Sequence, residues 1–180
     1  MKKNSKYEKE IISRCQYATG RTDWDKFWME SVNKDIKYFR CNYNLREEFY
    51  VSEKWSIDSA ERHTIYASNS PQTPFKGGHI ALQALAIVKE KYPDVKMRIL
   101  SPKADDGNIV VKGGYSKCCH KLIEQLGLKD NLEFLPRLDA NGVINVMRTS
   151  HLCVIPSSME NASATLREAM HIGTPCLASY

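Results

Sequence analysis

From Thr64 onward, short apolar runs alternate with longer stretches whose apolar residues recur at helical spacing. That alternation predicts an α/β domain, with strands joined by crossover helices and doubly wound into a parallel sheet. The first strand is expected over residues 64–67. A polar loop, residues 68–75, leads through Lys76-Gly77-Gly78 into a helix with its apolar face at Ile80, Ala84, Ile87 and Val88, ended by Lys89, Glu90, Lys91 and Pro93. Residues 95–100 alternate apolar and basic side chains as a second strand, and the irregular stretch 101–111 has room for an edge element. A helix from about Tyr115 stops at Gly127, where a left-handed C-cap is easiest for glycine. Residues 132–135 make a third strand. Asp139 or Asn141 can cap a helix that buries Val143, Ile144 and Met147, ahead of a fully apolar fourth strand at 152–155. Pro156, Ser157 and Ser158 break that strand. A helix from about Ala162 to His171, burying Leu166, Ala169 and Met170, stops at Gly173 and leads to a fifth strand at 176–178.

No helix follows that strand before Tyr180, so the sheet domain, residues 61–180, is expected to be incomplete at its C-terminus. Residues 1–60 differ in kind. They are rich in charges and in aromatics (Trp24, Trp28, Tyr38, Phe39, Tyr43, Phe49, Tyr50, Trp55) and read as short helices around one strand at 36–39. So aromatic a segment, too short for its own core, is expected to pack on the sheet or on a partner domain absent from this sequence.

A chain of 180 residues with 42% hydrophobic residues buries a core, which excludes a disordered or fibrous protein. Residues 1–10 carry Lys2, Lys3, Lys6 and Lys9 without the apolar run of a signal peptide, and no window is apolar for long enough to span a bilayer, so a soluble cytoplasmic protein is expected. The six cysteines (Cys15, Cys41, Cys118, Cys119, Cys153, Cys176) show no C-x-x-C pair and no zinc-type spacing, and read as free thiols in a reducing compartment. A formal charge of +5 suits anionic ligands such as nucleoside diphosphates, or an acidic membrane surface, and is too modest to argue for nucleic acid.

In open parallel sheets ligands bind at the carboxyl ends of the strands, which directs attention to the loops after the first, third and fourth strands. In the first of them, Lys76 stands at a helix entrance beside Gly77 and Gly78. A lysine there adds a point charge to the positive end of the helix, and the glycines admit a ligand to the backbone; the plainer reading is a solvated lysine and a tight turn. The loop Pro156 to Ser163 runs from an apolar strand into a helix. Its backbone N–H groups can receive an anion and Glu160 can accept from sugar hydroxyls, or else Ser158, Asn161 or Ser163 simply caps the helix. Glu168 follows Glu160 by eight residues, which on one helix would be about 12 Å along the axis. That is about the reach from a sugar across a diphosphate to a ribose, whose two hydroxyls a carboxylate can accept; pairing with Arg167 is the ordinary fate of a helix-surface glutamate.

Taken in order, Lys76-Gly77-Gly78, Leu126-Gly127-Leu128-Lys129-Asp130-Asn131-Leu132-Glu133-Phe134, Val154-Ile155-Pro156-Ser157, Glu160 through Glu168-Ala169-Met170, and Gly173-Thr174-Pro175 resemble the C-terminal domain of family 4 (group 1) retaining glycosyltransferases of the B-type fold. Residues 17–25 with Cys41-Asn42 resemble the end of the N-terminal domain and the linker in bacterial members, so residues 1–60 would be a remnant of that domain. The resemblance implies a Rossmann-like donor-binding half. Lys76 would contact the donor diphosphate and Glu160 the donor sugar, these two serving the reaction itself. Gly77 and the backbone of Asn161-Ala162-Ser163 would lie at the phosphates, Glu168 at the ribose and Arg137 at the nucleobase. Many members have an arginine soon after the first strand and a glycine-rich turn after the first glutamate, where this chain has Ser68-Asn69-Ser70 and Asn161-Ala162.

The implied reaction moves a sugar from a UDP- or GDP-sugar to an acceptor hydroxyl with retention, using positioning and electrostatics and needing neither metal nor cofactor. Surface polysaccharide or glycolipid assembly is the implied setting, at or near the inner face of the membrane, with peripheral membrane contact. Glu160 and Glu168 are too far apart along a helix to be the carboxylate pair of a hydrolase. A rival of another class is a binding fragment that holds nucleotide but lacks the acceptor domain. An epimerase or phosphorylase relative would need catalytic histidines or a cofactor-binding lysine, and His63, His79, His120, His151 and His171 read as surface or packing residues. A flavodoxin-like regulatory domain would want acidic residues after the first strand.

Overall fold

The computed structural model describes residues 2–68, 73–100 and 113–179, with side chains from Ser5 onward. The expected edge element at 101–111 falls outside the described residues. The chain divides into two compact units, residues 1–44 with 160–163, and residues 45–159 with 164–180.

In the first unit, α1 (Lys2–Arg14) precedes one βαβ turn made of β1 (Tyr17–Gly20), α2 (Asp23–Val32) and β2 (Lys37–Arg40). The strands are parallel, Tyr17 opposite Lys37 and Gly20 opposite Arg40. One strand is expected here from the sequence; β1 is a second, only four residues long and without an apolar run, so periodicity does not reveal it. A capping box starts α2: the Thr22 hydroxyl accepts from the Asp25 N–H at 3.2 Å, and the Asp25 carboxylate accepts from the N–H groups of Thr22 at 3.2 Å and Arg21 at 2.8 Å. The Asn33 side chain donates to the carbonyls of Ile12 and Cys15, which ties the end of α1 to the turn after α2.

The second unit begins with α3 (Glu47–Val51) and continues through β3 (Glu61–Ala67), a 3-10 turn (Pro74–Lys76), α4 (Gly78–Lys91), β4 (Lys96–Leu100), α5 (Gly114–Gln125), β5 (Leu132–Leu135), α6 (Ala140–Thr149), β6 (Ser150–Ile155), α7 (Ala164–Ile172) and β7 (Cys176–Ala178). The five strands lie in the order β5-β4-β3-β6-β7, all parallel. This is the doubly wound sheet expected from the sequence. Alternate residues of β3 face opposite sides. Tyr66 joins Cys153, Ile155 and the apolar faces of α6 and α7 in one buried cluster, while Ala67 joins Met97, Ile99 and the faces of α4 and α5 in another.

Two expected helix faces are corrected. On α4 the buried residues are Gly78, Ala81, Leu82 and Leu85, whereas Ile80 and Ile87 are exposed; both sides of this helix are apolar, and the spacing i, i+3, i+4, i+7 fits either. On α7 Ala169 is buried and Leu166 packs against the core, but Met170 is exposed and Ile172 takes the inner position. The helix over α6 buries Val143, Ile144 and Met147 as expected, and of its two candidate caps Asp139 is the one used, accepting from the Gly142 N–H at 2.8 Å.

The aromatics ahead of the sheet divide between the units. Phe49 is fully buried in the second unit, and Trp55 packs beside it, its indole N–H donating to the Ser150 carbonyl and its backbone N–H to the Ile172 carbonyl, both at 2.8 Å. Trp24, Phe27 and Phe39 of the first unit are exposed within this chain.

Asn131, in the turn before β5, is 4% exposed and donates to the carbonyls of Pro93 and Val95 at 3.0 and 2.8 Å, fixing the entry to β4 beside β5. Removing it strips the Pro93 carbonyl and the buried Val95 carbonyl of this partner. Asn131→Ala is expected to cost about 2–4 kcal/mol in urea unfolding. An unchanged midpoint would show that the entry to β4 does not depend on this amide.

Candidate functional site

The chain starts its sheet at β3, builds β4 and β5 on one side, then returns to build β6 and β7 on the other. Connections that leave in opposite directions open a crevice at the carboxyl ends of β3 and β6, which is where a ligand meets such a sheet. Two of the three loops singled out in the sequence meet there. After β3 come Ser68 and the turn Pro74–Lys76, closed by Gly77 at φ 72°, whose carbonyl receives the first amides of α4 from Ile80 and Ala81. After β6 come Pro156 to Ser158. The Ser158 N–H donates to the Phe75 carbonyl at 2.8 Å, and its hydroxyl reaches the same oxygen at 3.3 Å.

Gly77 has a physical reason to be glycine in the protein's own packing. A Cβ there would stand 1.9 Å from the Pro156 carbonyl oxygen, and the residue is in the left-handed region besides. The backbone that comes close to Gly77 is the protein's own. Lys76, immediately before it, is half-buried and donates its backbone N–H to the Thr73 carbonyl.

Ser68 shares a hydrogen bond of 3.0 Å with Thr165 in the first turn of α7. One turn further on, Glu168 points its carboxylate inward, with 16% of its side chain exposed, and meets the guanidinium of Arg46 at 3.3 Å. Burial pushes the Glu168 carboxyl above the ordinary glutamate value, and the charge and hydrogen bond of Arg46 offset part of that rise. Arg46, from the segment before α3, was not singled out in the sequence. It lies 122 residues from its partner, and no local pattern joins them.

Because α7 begins at Ala164, Glu160 and Glu168 are not eight positions apart on one helix, and the 12 Å axial spacing expected from the sequence does not apply. Residues 160–163 belong to the first unit. There the Asn161 side chain is engaged at both ends: its amide donates to Asp25 at 2.7 Å and its oxygen accepts from the Thr22 hydroxyl at 2.5 Å. With Ser158 bound to Phe75, neither of these side chains caps α7. Burial alone would raise the Asp25 carboxyl, but the hydrogen bonds from Arg21, Asn161 and Thr22 together bring it below its ordinary value. Glu160 is exposed, and Ala162 and Ser163 are half-buried.

Arg137 is exposed in the loop after β5. That strand forms the far edge of the sheet, two inter-strand spacings or about 10 Å from β3. The histidines have structural partners: His63 pairs with Asp94 at 2.8 Å, His79 with the Tyr115 hydroxyl at 2.8 Å, His120 with Glu124 at 3.5 Å, and His171 lies edge-on to Tyr50. Tyr115, half-buried over His79, has its hydroxyl pushed up to about 12 by burial. All six cysteines are free. Among the described residues, no group of three or more His, Cys, Asp or Glu could hold a metal ion, and no helix is long and apolar enough to cross a membrane.

The D-inositol 3-phosphate glycosyltransferase of Corynebacterium urealyticum is 30% identical over 104 residues, 58% of this chain and 24% of that protein. The enzyme of the same name from Salinispora tropica is 28% identical over 168 residues, 88% of this chain and 33% of that protein. The chain thus spans about a quarter to a third of the length of these curated relatives. Among solved structures, Anabaena HepE in complex with UDP-glucose superposes with a TM-score of 0.76 at 18% identity, covering 98% of this chain and 48% of that one. The fold is that of a Rossmann-like half of a B-type glycosyltransferase. Residues 52–180 match the profile of the family described as glycosyl transferases group 1, so the chain belongs to the group 1 glycosyl transferases.

Proposed function

We propose that this chain supplies the donor site of a glycosyltransferase, which moves a sugar from a nucleoside-diphosphate sugar to an acceptor hydroxyl with retention of configuration. The observation that carries the reading is the junction at the carboxyl ends of β3 and β6, where Gly77 and Pro156 bring two loops together beside the turn that bears Lys76, with Glu168 inward on the helix that follows β6. Family membership gives the reaction class, and a fold neighbour crystallised with UDP-glucose supports a nucleotide-sugar donor.

In this reading Lys76 and the backbone amides of Asn161, Ala162 and Ser163 stabilise the diphosphate as negative charge grows on it. Glu160 accepts from hydroxyls of the donor sugar, Glu168 from the two ribose hydroxyls, and Arg137 lies toward the base. The donor is a UDP- or GDP-sugar, and lysine with helix-terminal amides does the work a divalent cation does elsewhere, so the reaction runs without metal. Residues 1–44 come from an acceptor-side domain, and the sheet expected over 61–180, together with residues 45–60 that pack on it, forms the donor domain. The setting is surface polysaccharide or glycolipid assembly at the cytoplasmic side, with peripheral membrane contact.

Calorimetric titration of the folded chain with UDP, GDP and their glucose forms tests this. Saturable binding by one base series is expected, weakened about tenfold or more by Glu168→Ala and by Lys76→Ala, each equivalent to at least about 1.4 kcal/mol. A chain shown by circular dichroism to be folded, yet silent to all four ligands, would reject the reading.

The junction makes a second prediction. Gly77→Ala forces a left-handed alanine, at about 1–2 kcal/mol, and a clash with Pro156 as well, so nucleotide affinity should fall together with stability. Gly127→Ala has a similar φ of 60° but open space around its Cβ, and should lower the unfolding midpoint while leaving affinity unchanged. Equal affinities for the two variants would detach the junction from the site.

A further inference from the structure

Glu168 is a carboxylate set largely out of water, and a buried carboxylate tends toward its neutral form, a poor acceptor for two hydroxyls. The groups that face it from the sheet do not supply positive charge. Tyr66 of β3 is buried and kept neutral by that burial, and Cys153 of β6 is held as a thiol by its hydrogen bond to Cys176 and by burial. Arg167 and His171 are its titratable neighbours on α7 itself. The cation in contact with the carboxylate comes from outside both sheet and helix: it is Arg46, at 3.3 Å from Oε1.

Arg46 is held in place before any ligand arrives. It occupies the position preceding α3, and its guanidinium lies over the Phe49 ring at 5.0 Å, a ring that is itself fully buried. The N–H of the adjacent Leu45 donates to the Tyr50 hydroxyl at 3.2 Å, so the backbone on either side of Arg46 is fixed by α3. A guanidinium stacked on a rigid aromatic loses little freedom when it bonds a carboxylate.

We infer that Arg46 is a positioning residue for Glu168: held on Phe49, it keeps the carboxylate ionised and bound through Oε1, so that a vicinal diol of the ribose type meets a fixed, charged acceptor. This rests on the reading of Glu168 as the ribose-binding group. The ionised form is the one that accepts two hydroxyls, so affinity falls as pH drops through the Glu168 pKa, and removing Arg46 moves that fall to higher pH.

The test uses the intact chain with Arg46→Met, which keeps the apolar stem over Phe49, and Arg46→Lys, which keeps the charge without the planar fork. The Glu168 carboxyl is titrated by carbon-13 NMR, and UDP affinity is measured by calorimetry from about pH 5 to pH 8, spanning carboxylate and histidine titration. In Arg46→Met the Glu168 titration should move up, and UDP affinity at about pH 6 should drop at least about fivefold, with the gap narrowing toward pH 8. Arg46→Lys should lie between. An unmoved Glu168 titration in Arg46→Met, or tighter UDP binding, would overturn the inference, the latter by showing that Arg46 competes for the carboxylate. A flat loss of affinity at every pH would make Arg46 a direct ligand instead. If the wild-type chain binds no UDP, the ribose reading fails by itself, and the NMR titration alone decides whether Arg46 holds the charge.

Discussion

The carbonyl oxygen of Pro156 occupies the space that a side chain at residue 77 would fill. That approach is possible because residue 77 has no Cβ and can sit at φ 72°, and much of the site's geometry depends on it. It brings the end of β6 against the turn after β3, allows Ser158 to close on the Phe75 carbonyl, and sets the start of α4, whose first amides return to the Gly77 carbonyl. The central pairing of β3 with β6 aligns these ends, Ala67 opposite Val154. A longer side chain at 77 would part the loops at the point where a doubly wound sheet opens to a ligand.

Much of the second unit was legible in the sequence because its physics is local. Parallel strands read as short apolar runs, and β5 and β7 stand where those runs stood. Gly127 and Gly173 mark helix ends through their positive φ. What failed was information that only packing supplies. On α4 two apolar stripes compete, and the winning one holds the small residues Gly78 and Ala81, which let the helix lie close to the sheet; the bulkier Ile80 and Ile87 remain outside. Likewise β1 is a strand because β2 pairs with it, not because Tyr17-Ala18-Thr19-Gly20 carries a strand pattern.

The site was legible as a set of positions and much less as an arrangement. The sequence could mark Lys76 and Glu168 from the residue types at helix starts and on a helix after an apolar strand. It could not say that Asn161 has its side-chain amide bound to Asp25 and Thr22. That engagement narrows what the Asn161 side chain could offer an anion.

Electrostatics shows most clearly why long-range partners escape a reading along the chain. A carboxylate as shielded as Glu168 needs a cation, and helical spacing offers the adjacent Arg167 as the obvious one. The partner is instead Arg46, which reaches the carboxylate because Phe49, three residues later, is anchored in the core and offers its ring as a platform. The same short segment supplies Trp55, which satisfies the carbonyls of Ser150 at the start of β6 and Ile172 at the end of α7. Residues 45–55 are thus a strap that ties the two ends of the β6-to-α7 crossover and delivers one charge to the middle of α7. A domain cut to begin at β3 would keep every strand of the sheet yet take from Glu168 its counter-charge.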